Sequence, residues 1–161
     1  MAVLTTEEVW KILDEVKDPE IPVVSVVEMG LIRTVGVEDQ DVIVTMTPTF
    51  SGCPALKVME KEVEKRLLDA GARSASVRWV YSPPWSSDWI LPEARKKLSD
   101  FGLSPPPRHG GDIEHALMAP VLCPFCGSEE TTLKNSFGST LCRSIYVCNH
   151  CHQPFEGFKP L

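Results

Sequence analysis

Helical spacing opens the chain. Val9, Ile12, Leu13 and Val16 fall on one face directly after Thr5-Thr6-Glu7-Glu8. That pattern predicts an amphipathic helix opened by a capping box, with Thr5 as N-cap and Glu8 three residues on. Asp18-Pro19 is expected to stop it. The period then drops to two. Leu31 to Val37 and Val42 to Thr47 read as strands joined by the acidic turn Glu38-Asp39-Gln40-Asp41, and in the second strand Val42, Val44 and Met46 alternate with Ile43, Thr45 and Thr47. Helical spacing returns at Leu56, Met59, Val63 and Leu67, with Pro54 at the start and Gly71 at the C-terminal end. Ser74 to Tyr81 predicts a third strand, with Ala75, Val77, Trp79 and Tyr81 on one face and Ser82-Pro83-Pro84-Trp85 as its breaker. Pro92 to Phe101 predicts a short helix ended by Gly102. The order α-β-β-α-β-α over residues 1–103 describes a small α/β domain.

The patterning lapses over residues 104–119. Ser104-Pro105-Pro106-Pro107 is stiff and Arg108-His109-Gly110-Gly111 is flexible by composition, so this stretch reads as a linker. Residues 120–161 form a second module too short to bury a sufficient apolar core without a metal or crosslink. Its cysteines meet that need. Cys123-Pro124-Phe125-Cys126-Gly127 and Cys148-Asn149-His150-Cys151 are two Cys-x-x-Cys pairs with residues 127–147 between them. That is the ligand layout of a zinc ribbon, one residue longer in the middle than the usual window. Two such turns on neighbouring hairpins close a tetrahedron of sulfur around one ion. All four positions filled by protein sulfur make a closed, structural site. The same four sulfurs suit a single iron or an iron–sulfur cluster. Paired disulfides and a thioredoxin-like redox pair fit less well, because no secretory signal precedes the chain and the pairs lie outside any βαβ pattern. Cys142 and His150 are candidate substitutes for one of the four ligands, and His152 lies close by.

Composition narrows the function classes. The chain has 161 residues, 43% of them apolar, and a formal net charge of −6. No run of eighteen apolar residues occurs, so no membrane helix is expected. The N-terminal Met1-Ala2-Val3-Leu4-Thr5-Thr6-Glu7-Glu8 carries no positive charge ahead of an apolar run, which predicts a cytoplasmic protein. Residues 121–161 contain only Lys134, Arg143 and Lys159 as basic groups. Nucleic-acid binding needs several Lys or Arg on one face to displace counterions, so a protein partner is the better expectation. There is no Gly-x-Gly-x-x-Gly loop, P-loop or His-Glu-x-x-His, and a non-catalytic protein is expected.

Cys53 is the second point of chemistry. It stands alone in the first module, in Thr47-Pro48-Thr49-Phe50-Ser51-Gly52-Cys53-Pro54 between a strand and a helix. Unpaired N–H groups and the positive end of the helix dipole predict a lowered thiol pKa there. A small buried hydrophobe is the other reading. Asp18, Glu20 and Glu28 are oxygen donors around the first loop. Trp79, Tyr81, Trp85 and Trp89 cluster in sequence, as core and lid packing or as a docking surface.

These motifs carry a resemblance. Asp18-Pro19-Glu20-Ile21-Pro22, Glu28-Met29-Gly30-Leu31-Ile32, Met46-Thr47-Pro48-Thr49 leading to Gly52-Cys53-Pro54, and Ser82-Pro83-Pro84-Trp85 resemble the MIP18-like proteins (domain of unknown function 59), which assist iron–sulfur cluster assembly. With Phe137-Gly138-Ser139-Thr140-Leu141-Cys142 through Cys151 added, the whole chain resembles the PaaD family, which belongs to phenylacetyl-CoA epoxidase systems. The resemblance implies a MIP18-like domain followed by a zinc ribbon, with Cys53, Asp18 and Glu20 as functional residues. It implies zinc in the ribbon and a transient iron–sulfur cluster or iron elsewhere. The implied role is maturation of the reductase cluster or oxygenase metal site of that system, in aerobic phenylacetate catabolism. An accessory subunit bound to the oxygenase, or a Cys53-dependent thiol redox protein, are the alternatives. Oxygenase and iron–sulfur reductase subunits are the implied partners, with a homo-oligomer as a further option.

Overall fold

The computed structural model describes residues 3–161; Met1 and Ala2, the first residues of the stretch read above for localisation, lie outside the described residues. The described residues divide into two compact units, 3–85 and 86–161.

The first unit opens with α1 (Thr6–Asp14). Its capping box is present as the sequence predicts: Thr5 Oγ1 accepts from the Glu8 amide and the Glu8 carboxylate accepts from the Thr5 amide. The helix ends four residues before Asp18-Pro19. The chain instead doubles back, with the Val26 amide donating to Val16 O and the Asp18 amide to Val24 O. These bonds, more than the proline, release residues 15–18 from the helix. Val16 stays fully buried although it lies outside α1.

Residues 25–29 form one helical turn with a second capping box, which the sequence reading above does not single out. The Ser25 amide donates to Glu28 Oε2 at 2.9 Å, and the Glu28 amide returns a bond to Ser25 Oγ at 3.0 Å. Ser25 Oγ also donates to Asp14 Oδ1 at 2.6 Å. Ser25 is fully buried, so its hydroxyl ties α1 to the loop that carries Asp18 and Glu20. Ser25→Ala is expected to destabilise the first unit by about 1–3 kcal/mol, because it strands the buried Glu28 amide. The first unit's urea midpoint reports this, and an unchanged midpoint would show that the network contributes nothing.

Three strands follow: β1 (Ile32–Glu38), β2 (Asp41–Met46) and β3 (Ser74–Trp79), with α2 (Ala55–Asp69) between the last two. Their order is β1-β2-β3, antiparallel then parallel. The acidic turn is a two-residue hairpin with Asp39 at φ 48° and Gln40 at φ 72°, left-handed values that match the strand twist. Val42, Val44 and Met46 of central β2 are buried, as are Val9 and Leu13 of α1 and Met59, Val63 and Leu67 of α2. Strand β3 stops at Trp79, so Tyr81 leaves the expected face and is exposed. Trp85 is buried, its Nε1 donating to Met29 O at 2.9 Å.

The second unit begins well before the cysteines. After a 3₁₀ turn at Ser87–Trp89 come α3 (Pro92–Asp100), β4 (Leu103–Ser104), α4 (Ile113–Met118), β5 (Thr131–Asn135), β6 (Arg143–Cys148) and β7 (Pro154–Phe158). The four strands form one sheet in the order β4-β7-β6-β5, with β4 parallel to β7 and the rest antiparallel. Residues 86–103, expected with the first module, therefore lie in the second unit. Within the linker stretch, the part expected to be flexible, Arg108-His109-Gly110-Gly111, is tied down. Asp88 accepts from the amides of His109 and Gly110, and His109 Nε2 and the Ser87 amide both reach Leu161 O. In the ribbon, the Tyr146 ring stacks on Phe155 with centroids 5.5 Å apart. It also covers Gly157, where a Cβ would come within 2.9 Å of the ring. No helix among the described residues is long and apolar enough to cross a membrane.

Candidate functional site

The two Cys-x-x-Cys turns are built alike. In the first, the Gly127 amide donates to Cys123 O and Gly127 takes φ 75°. In the second, the His152 amide donates to Cys148 O and His152 takes φ 63°. Each turn thus needs a left-handed residue four positions after its first cysteine. Glycine fills that position without strain in one case, and a histidine tolerates it in the other. Strands β5–β7 bring the turns together, and the sulfurs of Cys123, Cys126, Cys148 and Cys151 all lie within 4.8 Å of one another. Two close sulfur pairs cross between the turns: Cys123–Cys151 at 3.7 Å and Cys126–Cys148 at 3.6 Å. Cys123 and Cys148 are buried, Cys151 is half-buried and Cys126 is exposed.

The electrostatics divide the sulfurs. Against the Ser128 amide, burial and the facing sulfurs of Cys148, Cys151 and Cys123 push the Cys126 thiol up to about 12, and Cys151 is raised as well, while Cys148 goes the other way. The amide of Cys151 lies 3.4 Å from Cys148 Sγ. That amide, against burial and with help from the His150 amide and Cys126, pulls the Cys148 thiol down to about 6. Four thiolates converging on one point form a soft, closed donor set of metal-binding character. Cys142 is outside this group. It is buried, its sulfur 3.1 Å from Thr140 Oγ1. His150 and His152 are exposed and also outside it.

Cys53 sits half-buried at the turn into α2. The helix-start amides of Ala55 and Leu56 do act on its sulfur, as expected from sequence. Burial outweighs them, and the carboxylates of Glu20 and Asp18 add to it, so the thiol pKa is raised rather than lowered. The prediction of a lowered pKa fails because it counted the dipole without the burial and the two acids. Iodoacetamide should therefore alkylate Cys53 more slowly at pH 7 than it alkylates an unstructured cysteine peptide. The rate should climb only above about pH 8.5. Asp18→Asn with Glu20→Gln should move that profile to lower pH. Faster alkylation than the peptide at pH 7 would show the dipole prevailing.

The charges of Glu20 and Asp18 are thus felt at Cys53, but among the described residues only Cys123, Cys126, Cys148 and Cys151 form a group close enough to share one ion. Asp18 also shapes the loop, its Oδ1 accepting from the amides of Glu20 and Ile21. Glu28 is engaged in the Ser25 cap. The aromatic cluster does not form one surface: Trp79 Nε1 donates to Glu60 at 2.7 Å, Trp85 is buried and Tyr81 is exposed. Thr47, at the head of the Cys53 loop, carries no sequence signal as a site residue. It is buried, and its hydroxyl has no hydrogen-bond partner among the described residues, which is rare for a buried polar group.

Two family models match separate parts of the chain. Residues 6–79 match a family model described as iron–sulfur cluster assembly protein, and residues 110–159 match the PaaD zinc beta ribbon domain. The fold and cysteine cluster therefore define a protein that joins an iron–sulfur assembly domain to a metal-binding ribbon. A protein of Escherichia coli (strain K12), provisionally named as the D component of 1,2-phenylacetyl-CoA epoxidase, is 38% identical over 153 residues, covering 94% of this chain and 91% of that one. The chain belongs to the PaaD family. An Fe-S protein maturation auxiliary factor of Porphyromonas gingivalis is 35% identical over 96 residues, covering 58% of this chain and 90% of that one. The crystal structure of a DUF59 domain from Bacillus anthracis superposes with a TM-score of 0.54 at 29% identity, covering 58% of this chain and 90% of that one. The family supports an iron–sulfur assembly or accessory role.

Proposed function

We propose that this protein matures an iron–sulfur or iron centre of a phenylacetyl-CoA epoxidase system, without being a catalyst of the oxygenation. The reading is supported by the match of residues 6–79 to the iron–sulfur assembly model, a stretch that contains Cys53 and the two carboxylates, Glu20 and Asp18, whose charges act on its thiol. Cys53 is the candidate contact for iron as cargo, with Asp18 and Glu20 tuning its thiol. A thiol with a raised pKa gives up its proton to a metal reluctantly, which weakens binding at neutral pH. Weak binding favours handing the metal on over keeping it. The client is the iron–sulfur reductase or the oxygenase subunit of the same system.

The ribbon's role is structural. Cys123, Cys126, Cys148 and Cys151 hold one zinc, which supplies a crosslink between the two turns and no redox chemistry. Cys142 and His150 are not ligands in this reading.

The test uses reductase produced without this protein and supplied with iron and sulfide. Purified full chain should restore reductase activity at well below one equivalent. Restoration only at one-to-one, with the two proteins then co-purifying, would favour an accessory subunit. Thiol–disulfide exchange lost in Cys53→Ser, without any restoration, would favour a redox protein.

A further inference from the structure

The four ribbon sulfurs are not equivalent toward solvent, and the difference has a chemical direction. Cys126 is exposed while Cys148, its neighbour across the turns, is fully buried. Their sulfurs are 3.6 Å apart. A small oxidant reaches Cys126 first and finds a second sulfur directly behind it. The other cross-turn pair, Cys123 and Cys151, shows the buried member at 2% exposure and the other half-covered.

We propose that Cys126 is a peroxide-reactive site and Cys148 its resolving sulfur, so that hydrogen peroxide releases the ribbon's metal. This rests on the reading of the four cysteines as the ligand set. The Cys126 thiolate attacks one oxygen of hydrogen peroxide. An S–O bond forms, the O–O bond breaks and hydroxide leaves, giving a sulfenic acid. The Cys148 thiolate then attacks that sulfur; an S–S bond forms, the S–O bond breaks and a second hydroxide leaves. Two thiolates are oxidised by two electrons in total, and one peroxide is reduced to two hydroxides, which take protons from solvent. Two of four ligands are consumed, and two thiolates do not retain the ion. A dithiol reductant reverses the step.

The packing explains why the consequence is large. Cys148 belongs to the ribbon's small core with Cys123 and Phe155, against which Val121, Tyr146 and Cys151 pack. Pulling Cys148 toward Cys126 and removing the metal loosens that core from within. Cys53 and Cys142 are the competing thiols, half-buried and buried respectively.

The experiment uses the full chain loaded with zinc. Metal content and iodoacetamide protection of the four thiols are measured first. Hydrogen peroxide is then added stepwise, with released zinc followed by a colorimetric chelator and disulfides mapped by mass spectrometry without reduction. The expected result is one zinc released per peroxide consumed, with a Cys126–Cys148 link growing in step and both reversed by dithiothreitol plus zinc. The same mapping on Cys53→Ser/Cys142→Ser should be unchanged. A Cys123–Cys126 or Cys148–Cys151 link as first product would overturn the proposal. So would zinc held against a tenfold excess of peroxide while Cys53 oxidises. In both cases the ligand reading stands. A chain that holds no zinc and alkylates freely at all four thiols before any peroxide is added overturns the ligand reading, and this proposal with it.

Discussion

Removing the metal is expected to unfold the ribbon while residues 3–85 keep their structure. The reason lies in what the two cores are made of. The ribbon's buried cluster is Cys123, Cys148 and Phe155, with Val121, Tyr146 and Cys151 packed on it. Three of those residues are cysteines of the sulfur group, so demetallation leaves converging thiols where the packing should be. Structural zinc in small domains contributes on the order of 10–16 kcal/mol of apparent binding energy, most of it expressed as folding. The aromatic stack of Tyr146 on Phe155 and the strand pairings cannot replace that. The first unit, by contrast, buries Val9, Leu13, Val44, Met46, Val63 and Leu67 without any sulfur ligand. NMR spectra before and after chelation should lose dispersed ribbon resonances and retain those of the first unit. Cys148→Ser should reproduce the loss and Cys142→Ser should not. A ribbon that keeps its dispersed resonances after the metal has gone would sink the idea.

The second large effect is functional. Cys53→Ser should leave the first unit's stability within about 1 kcal/mol, since one half-buried sulfur contributes little packing. The same change should lower the yield of active oxygenase or reductase at least tenfold in cells growing on phenylacetate. Glu20→Ala should give a weaker defect at normal protein level. Asp18→Ala should give a weaker defect with a stability cost of about 1 kcal/mol or more, because Asp18 also caps the turn through the Glu20 and Ile21 amides. Normal growth with Cys53→Ser present at wild-type abundance would falsify a chemical role and return Cys53 to the core.

Local signals carried much of this structure. The Thr5–Glu8 box, the period-two strands, Gly71 after α2 and the two Cys-x-x-Cys turns are all written in neighbouring residues, and each is where its chemistry puts it. What could not be read was non-local. The end of α1 is set by bonds to residues 24–26, not by Pro19. The Ser25–Glu28 box was legible in principle from its Ser-x-x-Glu spacing, but no long apolar run follows it to draw attention. The raised Cys53 pKa depends on how deeply the turn is buried and on two acids more than thirty positions away. His152 gives no sequence hint that it takes the left-handed place glycine takes in the first turn. Nor does composition reveal that Arg108-His109-Gly110-Gly111 is held by Asp88.

Strand β4 is only two residues long, yet it covers the outer side of β7. A ribbon cut loose at residue 120, where its cysteines invite the cut, would bare the β7 edge. That strand carries the buried Phe155 and Phe158, and an uncovered, apolar edge is a template for pairing with another chain. Insolubility of such a fragment would then say nothing about metal loading or client binding. The heritable module, the piece that could be moved between proteins and still behave, starts near Ser86.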